Sequence, residues 1–275
     1  MERGHSCPLP APNQAPQPLR VFHVSAAPQP IPMKISRLTN GTPEIFHTLQ
    51  GEGPSLGAPA VFLRLSLCNL HCHWCDTPYT WNWEKTPWDH QDGIKFSKAE
   101  QIIELTPAEI APLISHYQCD RLILTGGEPL LQQKQLADLV KLLPQIPFIE
   151  VETNGTQIPA DDLRERVTQF NVSPKLSNSG MAENLRLNPE ALQNLASLPQ
   201  SLFKFVVCTQ ADLTEVQALQ QSLKLPGNRI FLMPEGRDAQ TLQTRSLWLA
   251  DICRDQGYRF SPRLHVLLWG NERAK

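Results

Sequence analysis

Two residue patterns alternate along most of this chain, and the alternation limits the folds that it can adopt. From Pro59 onward, short apolar and β-branched runs are followed by segments with helical apolar spacing. Strands that alternate with helices predict an α/β protein with a parallel sheet. Six such units around one core indicate a barrel, whole or partial, with an open doubly wound sheet as the alternative. The predicted strands are residues 59–67, 121–125, 147–153, 167–173, 202–208 and 229–233.

Capping residues support several of the predicted helices. Thr106, Pro107 and Glu109 have the pattern of a capping box with proline in the first turn. Asn188 begins another helix, and Gly257 ends the last one. The predicted helices are residues 106–117, 130–143, 160–166, 188–197, 211–223 and 238–256.

The amino-terminal segment differs in composition from the rest of the chain. Residues 1–32 are rich in proline, alanine and glutamine and have no periodicity, which predicts a disordered leader. Strand-like patterning starts at Met33, so we predict a domain over 33–275 and interpret Met33 as the natural start. Cys7 then has no assigned role.

Composition excludes some function classes. The 275 residues are 41% hydrophobic and have a net charge of −2, without the clustered basic face typical of nucleic-acid binding. No stretch approaches the roughly 18 apolar residues of a membrane span, and residues 1–32 lack the apolar core of a signal peptide. We therefore expect a cytoplasmic protein that binds neither nucleic acid nor membrane.

Unusual residues cluster in the loops after predicted strands. Because the carboxyl ends of parallel strands meet at one rim, where α/β proteins bind ligands, we expect these loops to form one site. The loops are the cysteine loop from Cys68, TGGEP (125–129), ETNGT (152–156), SPK (173–175) and MPEG (233–236).

The cysteine loop has three thiols, Cys68, Cys72 and Cys75, with the spacing C-x3-C-x2-C. Such a spacing can arise by chance, and a disulfide is disfavoured inside the cell. Structural zinc needs four ligands, for which His71 or His73 is a candidate fourth. A 4Fe–4S cluster held by three thiolates would leave one iron with an open position. The other cysteines, Cys119, Cys208 and Cys253, are predicted to be small buried apolar residues.

The spacing, with an aromatic residue before the last cysteine, resembles the radical S-adenosylmethionine (SAM) superfamily. The resemblance implies that the open iron chelates SAM, which is cleaved by one electron to a 5′-deoxyadenosyl radical. TGGEP resembles the superfamily's GGE motif, in which glycines let the backbone approach a ligand closely. Without the cysteine loop, TGGEP would indicate only a turn before a helix that starts at Pro129.

The flanking sequence EIFHTLQGEGPSLGAPAVFLRLSLCNLHCHWCDT (44–77) resembles the 7-carboxy-7-deazaguanine synthase family. The resemblance extends to PRLHVLLWG (262–270) and includes the motifs QGEG, TGGEP, ETNGT and SPK. It implies a modified partial TIM-type (βα) barrel, usually a homodimer, reduced by a donor such as flavodoxin or ferredoxin. It also implies conversion of 6-carboxy-5,6,7,8-tetrahydropterin to 7-carboxy-7-deazaguanine with loss of ammonia, on the route to queuosine. SAM would be regenerated and Mg2+ would assist.

The resemblance assigns cofactor roles by motif. The hydroxyl of Thr77 would bind Mg2+, which prefers oxygen ligands. Trp74 would contact the adenosyl part of SAM, with core packing as the alternative. The cluster ligands would be Cys68, Cys72 and Cys75, and the SAM-binding residues Trp74, Cys75, Asp76, Gly127, Ser173, Pro174 and Lys175.

The resemblance also assigns a substrate site. Gln50 offers an amide donor and acceptor to the edge of the pterin. The guanidinium of Arg64 suits the substrate carboxylate, with an outward-facing surface charge as the alternative. The substrate-binding residues would be Leu49, Gln50, Gly51, Glu52, Arg64 and Thr125. The chemistry needs no side-chain nucleophile, and we expect His47, His116 and His265 to be structural or peripheral.

Two features of the loop depart from the family or remain unassigned. The family usually has glycine before the first cysteine, whereas this chain has Leu67, for which we expect ordinary backbone angles. Residues 78–83 (PYTWNW) are expected to pack over the cluster loop. Two other functions remain open: an activase that makes a glycyl radical on a partner protein, and a non-enzymatic zinc or iron–sulfur module.

Overall fold

The computed structural model describes Met1 and residues 31–275. Nearly all of the predicted leader, including Cys7, therefore lies outside the described residues. The described part contains one mixed ten-stranded sheet with helices between its parallel strands. The strands are β1 (Met33–Ser36), β2 (Ile45–Leu49), β3 (Pro59–Leu65), β4 (Ile102–Leu105), β5 (Arg121–Gly126), β6 (Phe148–Thr153), β7 (Gln169–Val172), β8 (Ser201–Val207), β9 (Ile230–Pro234) and β10 (Arg259–Phe260).

The sheet winds in one direction. Its order is β4-β1-β3-β5-β6-β7-β8-β9-β10, with β2 paired to β3. From β3 through β5 to β10 all neighbours are parallel, whereas β1, β2 and β4 pair antiparallel. The order of the parallel strands from β3 to β10 does not reverse, as that of a doubly wound sheet would, and within residues 31–275 no pairing joins β10 back to the first strands. The predicted partial barrel is confirmed.

Several helices begin and end next to the capping residues that the sequence predicted. They are α1 (Lys98–Gln101), α2 (Pro107–Ser115), α3 (Gln133–Lys141), α4 (Asp161–Arg164), α5 (Glu183–Arg186), α6 (Pro189–Ser197), α7 (Asp212–Leu223), α8 (Ala239–Gln256) and α9 (Leu264–Trp269). At α2 the predicted capping box is confirmed, because Thr106 Oγ1 accepts from the Glu109 amide at 3.3 Å and Glu109 Oε2 accepts from the Thr106 amide at 2.7 Å. Gly257 ends α8 with a φ of +69°. Among residues 31–275 no helix is long and apolar enough to cross a bilayer.

The parallel strands are buried on both faces, but the two faces differ in polarity. Large apolar side chains such as Phe170, Phe203 and Phe205 are completely buried in the core. In β6 the apolar Ile149 and Val151 alternate with the glutamates 150 and 152. Since side chains alternate across a strand, one face of β6 packs in the core and the other brings charge to the barrel interior. That polar interior is where the cavity of the protein lies.

Candidate active site

A cavity of about 430 Å3 lies at the carboxyl ends of the parallel strands. Every one of the five predicted loops contributes to its lining. It includes all of the predicted site residues except Pro174. Those that line it are Leu49, Gln50, Gly51, Glu52, Arg64, Cys68, Cys72, Trp74, Cys75, Asp76, Thr77, Thr125, Gly127, Ser173 and Lys175.

Three thiols of one loop face this cavity. Cys68 Sγ accepts a hydrogen bond from the Leu70 amide at 3.4 Å, and Cys75 Sγ lies 3.6 Å from Thr77 Oγ1. Burial raises the pKa of Cys72 to about 12, and burial followed by the charges of its neighbours raises that of Cys68. Neighbouring buried thiolates need a cationic partner, so the donor set fits a metal cluster.

The spacing of the sulfurs favours a cluster over zinc. Among the described residues, the only group of three or more metal-binding side chains within 4.8 Å of one another is Glu52, Asp76 and His265. The three sulfurs are therefore spread more widely than the roughly 3.8 Å between thiolates on tetrahedral zinc. Of the two candidate fourth zinc ligands, His71 is engaged elsewhere, because its ring stacks on Trp88 with 3.8 Å between centroids; His73 stays a candidate.

The expectation of ordinary backbone angles at Leu67 is wrong. Its φ is +77°, in the left-handed region that glycine favours. Two backbone hydrogen bonds hold this conformation: the Leu67 amide donates to Thr80 O at 3.0 Å, and the Leu67 carbonyl accepts from Glu128 N at 2.9 Å. The cluster loop therefore keeps its geometry with leucine in place of glycine.

The two glycines of TGGEP pack against the protein's own backbone. A Cβ on Gly126 would lie 2.0 Å from Leu65 O, and a Cβ on Gly127 would lie 2.0 Å from Leu67 O. We expected the missing side chains to admit a ligand. The structure gives them a further role, because any side chain here would displace the strand and loop that precede the first cysteine.

Glu128 of TGGEP connects two of the loops. Its completely buried carboxylate accepts from Thr153 Oγ1 at 2.8 Å, the Asn154 amide at 2.7 Å and the Leu130 amide at 3.0 Å. Burial raises the pKa of Glu128, although these hydrogen bonds oppose the shift. The residue orders the rim by joining TGGEP to ETNGT.

Residues 78–83 pack against the cluster loop, as expected. The segment begins with a 3-10 turn over Pro78–Thr80. The Trp81 ring lies edge-on to the His71 ring, with 5.2 Å between centroids. Burial followed by the charge of Asp76 raises the pKa of Cys75, and a hydrogen bond from the Trp81 side chain opposes that rise.

A network of charges crosses the cavity floor. Lys204 Nζ lies 2.6 Å from Glu52 Oε2 and 2.9 Å from Glu152 Oε2. Arg263 Nε lies 3.1 Å from Glu52 Oε1, and its Nη2 pairs with Asp76. Burial alone would raise the pKa of Glu52, but these cations hold it well below its usual range.

His265 belongs to this network, so of its two expected roles, structural or peripheral, the structure contradicts the peripheral one. Its Nε2 lies 3.9 Å from Glu52 Oε1, and the ring lines the cavity. A Cβ on Gly51 would lie 2.3 Å from His265 Nδ1, so the absence of a side chain at the glycine of QGEG leaves room for the His265 ring. Burial lowers the pKa of His265.

Gln50 lies deeper, where both ends of its amide are already engaged. Its Nε2 donates to Glu150 Oε1 at 2.6 Å and Glu152 Oε1 at 3.1 Å. Its Oε1 accepts from the Glu52 amide at 3.2 Å. Asn171 Nδ2 donates to the same two carboxylate oxygens, at 2.6 and 2.8 Å. Gln50 therefore helps to hold the two carboxylates in place.

Arg64 is held at only one edge of its guanidinium. Its Nε donates to Glu44 Oε1 at 2.7 Å. Neither Nη of Arg64 donates to another residue within the described part of the chain, and the side chain lines the cavity. The alternative of an outward-facing surface charge is excluded, since only 18% of the side chain is exposed. The free edge of this guanidinium can bind a carboxylate.

Three of the predicted SAM-binding residues, Trp74, Ser173 and Lys175, lie together beside the cysteine loop. Trp74 Nε1 donates to Asn178 O at 2.9 Å while its ring remains on the cavity wall. Lys175 Nζ lies 5.8 Å from the centroid of that ring and donates to Ser173 Oγ at 3.0 Å. The cavity thus has one wall next to the cysteines and another around Arg64 and Glu52.

Several functional candidates were not predicted. Lys204 is a charged residue inside the apolar run LFKFVVC, and this pattern could have identified it as a candidate from the sequence. Arg263 and Glu44 lie inside the segment that resembles the family, but nothing in the local sequence distinguishes them from surface charges. Their partners are 211 and 20 residues away in the chain, so only the fold reveals their roles.

Comparison with known proteins first gives the class. A family model described as Radical SAM superfamily matches residues 64–235, more than half of the chain. Together with the partial barrel and the three-cysteine loop, this match defines a radical SAM protein.

Closer relatives give the family. The 7-carboxy-7-deazaguanine synthase of Pyrobaculum aerophilum is 37% identical over 84% of this chain and 96% of the relative. The synthase of Halobacterium salinarum is 32% identical over 83% of this chain and 90% of the relative. The structure of QueE from Escherichia coli has the same fold, with a TM-score of 0.59 and 24% identity over 85% of this chain and 95% of that one. The chain belongs to the 7-carboxy-7-deazaguanine synthase family.

Proposed function

We propose that this protein is a carbon–nitrogen lyase that converts 6-carboxy-5,6,7,8-tetrahydropterin to 7-carboxy-7-deazaguanine with loss of ammonia. The observation that supports this most directly is the free edge of Arg64 in the cavity that also contains the three cysteines. An anionic substrate placed on Arg64 would lie in the same enclosed space as the cofactors. Membership of the family supplies the identity of that substrate.

Cys68, Cys72 and Cys75 hold the 4Fe–4S cluster in this proposal. The cluster and SAM, when bound, supply the electron and the carbon radical that removes a hydrogen atom from the substrate. Trp74, Asp76, Gly127, Ser173, Pro174 and Lys175 hold SAM. Of these, Pro174 does not line the cavity and would act by positioning its neighbours Ser173 and Lys175, which do. The protein's task is to orient both molecules and exclude water.

The substrate lies on the opposite wall. Arg64 binds its carboxylate, and Leu49, Gly51 and Thr125 contact the ring. Glu52 is held by Lys204 and Arg263, which keep it ionised, so it accepts hydrogen bonds from the pterin nitrogens. Gln50 acts mainly by fixing Glu152, because its own amide is already engaged.

Mg2+ binds at Thr77 in this proposal. The hydroxyl of Thr77 lines the cavity next to the last cysteine, and Mg2+ would complete its shell with substrate oxygens and water. The nearby carboxylates of Glu52 and Asp76 are already neutralised by Arg263 and Lys204. Thr77 therefore offers the cation a neutral oxygen without breaking an ion pair.

The remaining assignments follow the family. We propose a homodimer in the cytoplasm, with the electron supplied by a donor such as flavodoxin or ferredoxin. The six described cysteines are free thiols, which suits a reducing compartment.

Anaerobic reconstitution tests the proposal. Protein loaded with iron and sulfide is incubated with SAM, dithionite and 6-carboxytetrahydropterin, and products are identified by mass spectrometry. We expect 7-carboxy-7-deazaguanine from the wild type and none from Arg64→Ala with the same iron content. Cleavage of SAM without this product would instead favour another radical SAM enzyme, such as an activase. Stoichiometric zinc in place of iron would favour a metal-binding module.

A further inference from the structure

Glu44 connects Arg64 to a distant part of the chain. It is completely buried, and its two carboxylate oxygens have different partners. Oε1 accepts from Arg64 Nε at 2.7 Å and from Tyr79 Oη at 3.2 Å. Oε2 accepts from Arg273 Nε at 2.8 Å and lies 2.7 Å from Arg273 Nη2. Two arginines therefore share one buried carboxylate.

Arg273 is fixed on every side of its guanidinium. Its Nη1 donates to Gln101 Oε1 at 3.1 Å and its Nη2 to Arg37 O at 2.9 Å. Its Cζ lies 3.6 Å from the centroid of the Tyr79 ring, within cation–π range. Arg273 and its neighbours in residues 271–275 also line the mouth of the cavity. A residue with so many fixed partners can hold Glu44 in one orientation.

The separate partners of the two Glu44 oxygens determine which nitrogens of Arg64 remain free for a ligand. An arginine next to a carboxylate usually forms two parallel hydrogen bonds. Here Arg273 occupies Oε2, so Arg64 uses Nε alone and keeps its Nη groups towards the cavity. The group contains two positive charges and one negative charge, and the surplus positive charge lies at the cavity wall.

We propose that Arg273 is a positioning residue, which directs Arg64 towards the substrate carboxylate by occupying the second oxygen of Glu44. This inference rests on the proposed function for the identity of the ligand. Its structural part, the control of Arg64 by Arg273, does not depend on that identity. Without Arg273, Glu44 turns to bind Arg64 through both oxygens, by Nε and one Nη, and withdraws that Nη from the cavity.

The first test is spectroscopic and needs no substrate. In reconstituted protein with 15N-labelled arginine, exchange of the Arg64 Nε and Nη protons with solvent is measured by NMR, with signals assigned through Arg64→Lys. In Arg273→Ala we expect the protons of one Nη of Arg64, the one on the same edge as Nε, to exchange about tenfold more slowly, as that Nη becomes bound to Glu44. Arg254→Ala is the matched control, since Arg254 is 69% exposed and, among residues 31–275, pairs only with Asp251 and Asp255. Unchanged Arg64 exchange would overturn the inference, whether or not the substrate is turned over.

The second test separates positioning from general damage. For 6-carboxytetrahydropterin we expect Arg273→Ala to raise KM about tenfold, the loss of one charge-assisted hydrogen bond, with kcat nearly unchanged. Binding of tetrahydropterin without the carboxylate should not change. If Arg273→Ala binds less iron than the wild type, Arg273→Lys is used as the test variant instead, and its KM should rise by less than tenfold. If Arg273→Ala weakened the binding of both pterins equally, the positioning role of Arg273 would be contradicted. If Arg64 exchange changed as expected in Arg273→Ala but the wild type did not turn over 6-carboxytetrahydropterin, only the proposed function would be overturned.

Discussion

Gly127 lies so close to Leu67 that a Cβ on the glycine would stand 2.0 Å from the leucine carbonyl oxygen. Leu67 directly precedes the first cysteine of the loop, so the two motifs of the site are in backbone contact. A change in one must therefore move the other. This contact explains why TGGEP and the cysteine loop act as one structural unit.

The contact predicts the effect of a single methyl group. In Gly127→Ala the new Cβ displaces the Leu67 carbonyl and with it Cys68, so we expect reconstituted protein to bind less than half of the wild-type iron. Iron per chain and the visible absorption of the cluster measure this directly. Gly93→Ala is the control, because nothing lies within 4 Å of its Cβ; unlike Gly127, Gly93 has a positive φ, so its variant tests backbone strain without the steric contact. Full iron content in Gly127→Ala would contradict the account.

Leu67 permits a test of the backbone conformation itself. β-Branched residues tolerate the left-handed region least, so Leu67→Ile, which conserves volume, should lower the free energy of unfolding by about 1–2 kcal/mol. Leu67→Gly removes the strain along with a half-buried side chain, and we expect it to keep the cluster. Urea denaturation and iron analysis measure the two effects. A Leu67→Ile protein as stable as the wild type would show that the conformation is not strained.

Thr77 should affect Mg2+ without affecting iron. Its Oγ1 lies 3.6 Å from Cys75 Sγ and is not itself a soft ligand. We therefore expect Thr77→Ala to raise the Mg2+ concentration needed for half-maximal activity, at wild-type iron content. Thr77→Ser, which keeps the hydroxyl, should behave like the wild type. Parallel loss of iron and activity in Thr77→Ala would assign the residue to the cluster loop alone.

Lys204 should stabilise the fold in a pH-dependent manner. Lys204→Met removes the cation paired with Glu152 and leaves Glu52 to Arg263. We therefore expect the free energy of unfolding at pH 7 to fall by about 3 kcal/mol. The partners are 6%, 16% and 17% exposed, so solvent screens the pairs little. Lys141→Met, which removes two exposed surface pairs, should change stability by less than about 0.5 kcal/mol.

The sign of the pH effect follows from Glu52, whose pKa lies below its usual 4.5. A lowered pKa contributes stability above that usual value, and the contribution is lost as the pH falls towards the folded-state pKa. The difference between wild type and Lys204→Met should therefore be largest near neutral pH and shrink below about pH 4.5. Urea denaturation between pH 7 and pH 3 measures it. A difference that stays constant over this range would contradict the ion-pair account.

Local patterns predicted the parallel strands β3 and β5 to β9 because each is a short segment rich in apolar and β-branched residues, even where a charged residue interrupts it, as in β6 and β8. They did not predict β4 or β10, because a two-residue strand such as Arg259–Phe260 has no period of its own. Rim loops were predictable because parallel strands must end at one edge. The interior network was not, since Lys204 and Glu52 are 152 residues apart and meet only when the barrel forms. Leu67 shows the same limit, because tertiary hydrogen bonds override its backbone preference.

The most direct test of the central claim uses SAM in limiting amount. The account holds that the cavity binds 6-carboxytetrahydropterin at Arg64 and that SAM is regenerated at the end of each turnover. With excess substrate and dithionite, and SAM equimolar with reconstituted protein, the 7-carboxy-7-deazaguanine formed is measured against the SAM supplied. The account predicts several molecules of product for each molecule of SAM. Product that never exceeds SAM, or SAM cleavage without product, would contradict it.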